Sequence, residues 1–207
     1  MNKWIIFGLI ISNLFFVSWA AASQPKDNIL ILGDSLSAGY GINIAQSWPV
    51  LLQEKVNSQK LNVKVHNASI SGQTSAEGLA QIDQLLRISQ PKLVILELGA
   101  NDGLRGLSIP AMQNNLQAII SKSQQSGAKV LLVGIKTPAN YGKRYGNMFE
   151  TSFKTLAQNH DIPLVPFMLA PLFGAKDKYV QKDGLHPNAL AQPILLEHLW
   201  AYIKPQI

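Results

Sequence analysis

Apolar and polar positions along the chain follow two alternating periods, which predict strands and helices in turn. Short apolar runs bounded by polar or turn-forming residues predict β-strands at residues 28–32, 61–65, 93–98, 130–135 and 162–167. Amphipathic stretches between and after these runs predict helices near residues 46–58, 74–89, 109–126, 147–159 and 188–203. This alternation predicts an α/β fold in which helices cover both faces of a parallel sheet.

The N-terminal segment has a different pattern from the rest of the chain. Lys3 precedes an uncharged run that is most apolar at residues 4–17, and small residues follow at Ala20 and Ala22. A basic start, a short apolar centre and Ala-x-Ala spacing are typical of a secretory signal peptide. The apolar part is shorter than the roughly 20 residues of a membrane-spanning helix, although an uncleaved anchor remains the alternative.

We therefore predict two segments and an exported product. Residues 1–22 form a signal peptide cleaved after Ala20 or Ala22, and residues 23–207 form one domain. The protein would be periplasmic or secreted, with no stable membrane insertion once the signal is removed.

Composition narrows the chemistry that is available. The chain has no cysteine, which excludes disulfides, thiolate metal ligands and a thiol nucleophile. Lys and Arg number 18 against 12 Asp and Glu, a net charge of +6, but they form no dense basic cluster. Nucleic-acid binding is therefore not supported.

Polar residues and glycines gather where the predicted strands end. In parallel α/β sheets, sites form outside the carboxyl ends of the strands, so these residues are expected to share one site. The stretches concerned are Gly33-Asp34-Ser35, Ser71-Gly72, Asn101-Asp102, the KTPANYGKRYG loop and the DGLHP loop.

Ser35 is the candidate nucleophile, and a nucleophilic serine needs a base and a group that orients the base. His186 differs from the other histidines because Asp183 precedes it by three residues on a predicted loop, where the carboxylate can reach Nδ1. Loop composition alone would also explain that spacing. The N–H groups of Ser35 and Gly72 and the Asn101 amide are candidate oxyanion donors, with a turn glycine and an Asx turn as the alternatives.

The motifs resemble the SGNH, or GDSL, hydrolase family, and most closely its thioesterase I / lysophospholipase L1 / arylesterase branch. The matching stretches are ILGDSLSAGYG, NASISGQTS, LELGANDGLRG, PANYGKRY and DGLHPNALAQP. The resemblance implies a three-layer flavodoxin-like fold with strand order 2-1-3-4-5, and no metal or organic cofactor. It implies that Ser35 is the nucleophile, His186 the base and Asp183 its orienter. It also implies an oxyanion hole made by Ser35, Gly72 and Asn101.

The expected enzyme is a monomeric serine esterase acting on acyl esters or thioesters, lysophospholipids among them. Leu104, Leu107, Ile135 and Tyr141 are predicted to form an apolar wall for the acyl group. Lys136, with Lys143 and Arg144, is predicted to meet a phosphate headgroup, unless these residues only keep the rim soluble. One alternative is a carbohydrate O-acetylesterase with the same fold. Another is a non-catalytic module that binds an anion or other ligand at the helix start in GDSLSAGYG.

Overall fold

The computed structural model describes residues 27–207, so the predicted signal peptide lies outside the described residues. Five strands form one parallel sheet in the order β2-β1-β3-β4-β5, which confirms the predicted α/β class and strand order. The strands are β1 (Asp27–Gly33), β2 (Val63–Asn67), β3 (Leu93–Glu97), β4 (Lys129–Val133) and β5 (Leu164–Val165).

Helices cover both faces of this sheet. They are α1 (Ser35–Ala38), α2 (Trp48–Ser58), α3 (Ser75–Ser89), α4 (Ala100–Leu104), α5 (Ile109–Gln125), α6 (Lys143–His160), α7 (Lys176–Tyr179) and α8 (Gln192–Ile203). Short 3₁₀ helices span Ile44–Gln46, Ala139–Tyr141, Ala170–Leu172, Ala189–Ala191 and Lys204–Gln206. Helices α2 and α8 pack together, while α3, α5 and α6 pack in a row. Within residues 27–207, no helix combines the length and apolar character needed to cross a bilayer.

The central strands are buried along their length. Residues 29–32 of β1 and 93–96 of β3 have no exposed surface. A strand covered by helices on both faces needs a continuous apolar run rather than an alternating one, and these two segments have such runs. The β1–β3 register pairs Ile29 with Leu93 and Gly33 with Glu97, so both strands end at the same edge.

Some element boundaries differ from the sequence prediction. Strand β5 has two residues rather than six, because Pro163 and Pro166 flank it and proline has no N–H to donate to a ladder. Strand β2 begins at Val63 rather than residue 61, and Leu61 is exposed. Helix α6 begins at Lys143 rather than near residue 147.

The start of α6 and that of the last helix have local explanations. In α6, Tyr145 stacks on Phe149 with ring centroids 6.4 Å apart, so the apolar face extends one turn earlier than expected. Asn188 was expected to start the last helix, but its side chain accepts from Leu190 and Ala191 N–H and caps a 3₁₀ turn. The α-helix itself starts at Gln192.

Candidate active site

The turn between β1 and α1 presents Ser35 at the carboxyl edge of the sheet. Asp34 caps α1, its Oδ1 accepting from Leu36 N–H at 3.0 Å, and Gly39 ends the helix at φ 77°. Asp34 and Ser37 have no exposed surface, whereas Ser35 is half-buried. The buried residues Asp34 and Ser37 therefore fix the turn after β1, while the Ser35 hydroxyl stays accessible.

His186 bridges Ser35 and Asp183. Its Nε2 lies 2.8 Å from Ser35 Oγ and its Nδ1 lies 2.7 Å from Asp183 Oδ2. With Nδ1–H donating to the carboxylate, Nε2 is free to accept the serine proton. The structure thus brings together the nucleophile, the base and the orienting carboxylate that the sequence analysis named.

Asp183 is held as a carboxylate by its own loop. Its Oδ1 accepts from the backbone N–H of Leu185 at 2.9 Å and of His186 at 3.0 Å. These two hydrogen bonds are the main reason that the pKa of Asp183 is lowered to about 2, and the His186 side chain lowers it further. Asp183 stays charged at neutral pH and can stabilise a protonated imidazole.

Two residues that sequence reasoning missed support the histidine loop. The Tyr40 ring packs on the His186 ring with centroids 4.5 Å apart. Gln181 Nε2 donates to the carbonyl oxygens of Tyr40, at 2.8 Å, and Pro187, at 3.1 Å. Tyr40 lies inside the ILGDSLSAGYG stretch, and Gln181 comes shortly before the DGLHP loop. Only the contact between these two segments in the folded chain reveals their role.

The predicted oxyanion donors lie at the start of α1, in the β2–α3 loop and in the first turn of α4. Ile70 N–H donates to Gly33 O at 3.1 Å, which packs the β2–α3 loop carrying Gly72 against the end of β1. Gly72 has φ 82°, a conformation that glycine adopts readily. Asn101 Nδ2 donates to Asp34 Oδ2 at 3.1 Å and to Gln73 O at 3.0 Å, so an oxyanion would compete with Gln73 for one amide proton.

Two buried aspartates order this edge. Burial raises the pKa of Asp34 to about 6 despite the Leu36 N–H, His186 and Asn101, and Asp102 raises it further. Asp102 accepts from Ser75 N–H at 2.8 Å and Ser75 Oγ at 2.6 Å, which ties α4 to the start of α3. Asp102 therefore organises the connection between α4 and α3.

A cavity of about 280 Å³ opens beside Ser35 and His186. Three predicted substrate-binding residues line it: the wall residues Leu104 and Ile135, and Lys136. The structure does not bring Leu107 or Tyr141 into the lining: Leu107 is 43% exposed, and Tyr141 instead donates its hydroxyl to Leu104 O at 2.7 Å. Lining residues that the sequence analysis missed are Leu36, Ala100, Thr137, Pro138, Phe149, Leu169 and Leu185.

A second cavity, of about 480 Å³, adjoins the first. The two share Lys136, Thr137, Pro138, Leu169 and Leu185 in their linings. Aromatic and aliphatic side chains continue the wall, among them Phe167, Leu172 and Val180. Lys136 and Glu150 pair at 3.0 Å on its rim. A mostly apolar space therefore extends away from the serine hydroxyl.

Comparison with known proteins supports the resemblance found in the motifs. Residues 31–192 match the GDSL-like Lipase/Acylhydrolase family. The chain is 44% identical to an arylesterase of Vibrio mimicus, an alignment that covers 91% of this chain and 94% of that protein. It is 40% identical to thioesterase 1/protease 1/lysophospholipase L1 of Escherichia coli K12, covering 100% and 98%.

A solved structure agrees with this result. The psychrotrophic esterase EstA from Pseudoalteromonas sp., in a form inhibited by monoethylphosphonate, superposes with a TM-score of 0.83. It is 42% identical, and the match covers 86% of this chain and 97% of that one. The predicted family resemblance is confirmed, and the similar proteins are ester-hydrolysing enzymes.

Proposed function

The chain belongs to the GDSL-like lipase/acylhydrolase family, and from that premise we propose that it is an exported serine esterase. It hydrolyses carboxylic esters and thioesters through an acyl-serine intermediate. One observation carries the proposal: Ser35 Oγ, His186 and Asp183 form a continuous chain of 2.8 Å and 2.7 Å contacts beside an apolar cavity.

The reaction proceeds in two half-reactions. His186 Nε2 takes the Ser35 proton while Oγ attacks the substrate carbonyl carbon, and Asp183 stabilises the resulting imidazolium. The N–H groups of Ser35 and Gly72 and the Asn101 amide hold the tetrahedral oxyanion. His186 then returns the proton to the departing alkoxide or thiolate. Water, activated by the same imidazole, cleaves the acyl-enzyme and restores the serine.

The acyl group occupies the cavity beside Ser35. Leu104 and Ile135 offer it an apolar wall, and the adjoining cavity gives a long chain room to continue. Lys136 and Lys143 line that second cavity. Lys136 is paired with Glu150, so Lys143 is the better partner for an anionic group such as the phosphate of a lysophospholipid. The named lysophospholipase activity of the Escherichia coli relative supports this substrate class.

Export is the second part of the proposal. It rests on the signal-like pattern of residues 1–22, and the product is periplasmic or secreted. We expect a monomer, and the Asp183–His186–Ser35 contacts, which lie within one chain, are compatible with it.

Covalent labelling tests the nucleophile directly. A fluorophosphonate should form a single adduct on Ser35, found by intact mass and peptide mapping, as the phosphonate-inhibited relative suggests. We expect Ser35→Ala to abolish the adduct and lower kcat by about 10³-fold or more. Ser58→Ala, at the exposed end of α2, is the matched serine control. No adduct on the wild type would favour the non-catalytic binding module.

A series of 4-nitrophenyl esters tests the substrate class. We expect kcat/KM to rise from acetate toward octanoate, because each added methylene enters apolar surroundings in the joined cavities. A steep fall beyond acetate would favour the carbohydrate O-acetylesterase instead.

A further inference from the structure

A carboxyl group that the reaction does not use is buried directly beneath the nucleophile turn, the segment Asp34–Ser37 that carries Ser35. Glu97, the last residue of β3, is 2% exposed and lies beside Gly33 in the sheet register. Its Oε2 lies 2.7 Å from Ser37 Oγ and accepts from Asp34 N–H at 3.3 Å. A Cβ at Gly33 would sit 2.7 Å from that oxygen. The glycine before the aspartate and serine therefore leaves the space that the Glu97 carboxyl fills.

The hydrogen bonds of Glu97 lead to the reacting groups. It holds the backbone of Asp34 and the side chain of Ser37, the residues on either side of Ser35 and Leu36. Asp34 in turn accepts from the Asn101 amide at 3.1 Å. The nucleophile turn and one oxyanion donor are thus joined to the same buried carboxyl.

The charges around Glu97 and Asp34 favour one proton on the pair. Asp34 faces Glu97, Asp102 and His186, and none of the ion pairs among residues 27–207 includes Glu97 or Asp34. Two adjacent buried carboxylates without a cation are costly, so one is neutral. Asp34 has the Leu36 N–H, the Asn101 amide and His186 to stabilise its charge. Burial, followed by the charge of Asp34, raises the pKa of Glu97 well above its usual range.

We propose that Glu97 is a positioning residue that acts as a neutral carboxylic acid to fix the Asp34–Ser37 turn. By keeping the proton, Glu97 leaves Asp34 as the carboxylate that orients the Asn101 amide and faces the His186 imidazolium. The proposal rests on the proposed ester hydrolysis for the reaction that this geometry serves.

Two substitutions separate neutrality from hydrogen bonding. Glu97→Gln keeps the shape, the neutral charge and an oxygen that accepts from Asp34 N–H and Ser37 Oγ, so kcat should stay within about threefold of wild type. Glu97→Leu removes both hydrogen bonds and should lower kcat by about 10- to 100-fold while KM changes little, because the misaligned groups act in the transition state. Val94→Ala, earlier in β3, should lower Tm without lowering kcat.

The infrared spectrum reads the proton directly. The difference between wild type and Glu97→Gln at pH 7 should contain the carbonyl stretch of a protonated carboxylic acid, which an ionised glutamate lacks. A carboxylate band in its place, or a Glu97→Gln loss as large as that of Glu97→Leu, would overturn the proposal. Unchanged kcat in Glu97→Leu would also overturn it.

Two further measurements keep the outcome decisive. If Glu97→Leu fails to fold, Ser37→Ala removes the 2.7 Å hydrogen bond without adding bulk and should lower kcat several-fold at constant KM. Unchanged kcat there would contradict the positioning role. Failure of the proposed function itself would appear separately, as a wild type that is neither labelled at Ser35 nor active on esters, and the infrared result would still decide the charge of Glu97.

Discussion

Ser35 lies between two aspartates whose surroundings are opposite. The Asp183 side chain is 37% exposed on a loop, and two backbone N–H groups lower its pKa to about 2. Asp34 is fully buried beside Glu97, and burial raises its pKa to about 6. An aspartate carboxyl therefore has a raised pKa at one position and a lowered pKa at the other, and both positions serve the site.

This difference assigns separate tasks to the two regions. The exposed loop supplies a permanent negative charge that directs the His186 ring toward the serine. The buried turn supplies rigidity, since Asp34 and Ser37 are held from below by Glu97. Substitutions in the loop should therefore affect catalysis more than stability, whereas those in the turn should affect both.

Removal of the loop charge should have the largest effect. We expect Asp183→Asn to lower kcat by about 10²- to 10⁴-fold, because the amide can favour the tautomer that leaves Nε2 unable to accept the serine proton. Tm should fall only modestly, since the asparagine oxygen can still accept from the Leu185 and His186 N–H groups. Steady-state kinetics and thermal unfolding measure the two quantities. A kcat within threefold of wild type would mean that Asp183 does not orient the base.

The pH dependence of the free energy of unfolding should distinguish the buried Asp34 from the exposed Asp183. Between about pH 4 and 6 the folded chain keeps a proton on Asp34 that the unfolded chain has released, so its contribution to the free energy of unfolding falls as pH rises. The contribution of Asp183 to the free energy of unfolding changes in the opposite direction: it falls as pH drops from about 4 to about 2. From pH 4 to 6.5, wild-type Tm should fall relative to Asp34→Asn by roughly a few degrees. Parallel Tm curves would contradict the burial argument.

The sequence could predict the grouping of Ser35, His186 and Asp183, but not the contact by which Glu97 supports the nucleophile turn. Ser35 follows a strand, and Asp183 precedes His186 by three residues, so chain order and spacing were enough to group them. Glu97 lies inside the apolar run at residues 93–98, so the sequence predicts only that it belongs to a strand. Its contact with the nucleophile turn depends on the β1–β3 register, which continuous apolar runs without alternation do not specify.

The cavity lining was predictable only in part, for a similar reason. Ile135 is the last residue of the strand predicted at 130–135 and Lys136 follows it, and both line the cavity. Leu107 and Tyr141 lie on neighbouring loops, but the way those loops fold back keeps them out of the lining. Phe149 reaches the cavity from α6, and only helix packing against the sheet brings it there.

The smallest expected effect concerns the support of the exposed loop. Gln181→Ala removes the hydrogen bonds to Tyr40 O and Pro187 O but leaves the backbone bond from Gln181 N–H to His186 O, at 2.7 Å, intact. We expect kcat to fall about 2- to 10-fold, because the Tyr40 ring that packs on His186 loses one tether. Gln53→Ala is the matched control, since that side chain also makes several hydrogen bonds, to Asn57, Val63 and Val65, but far from Ser35. Equal kcat losses in the two variants would mean that Gln181 has no specific role. A loss confined to Gln181→Ala would show that the exposed loop depends on side-chain hydrogen bonds to hold His186, as the buried turn depends on Glu97.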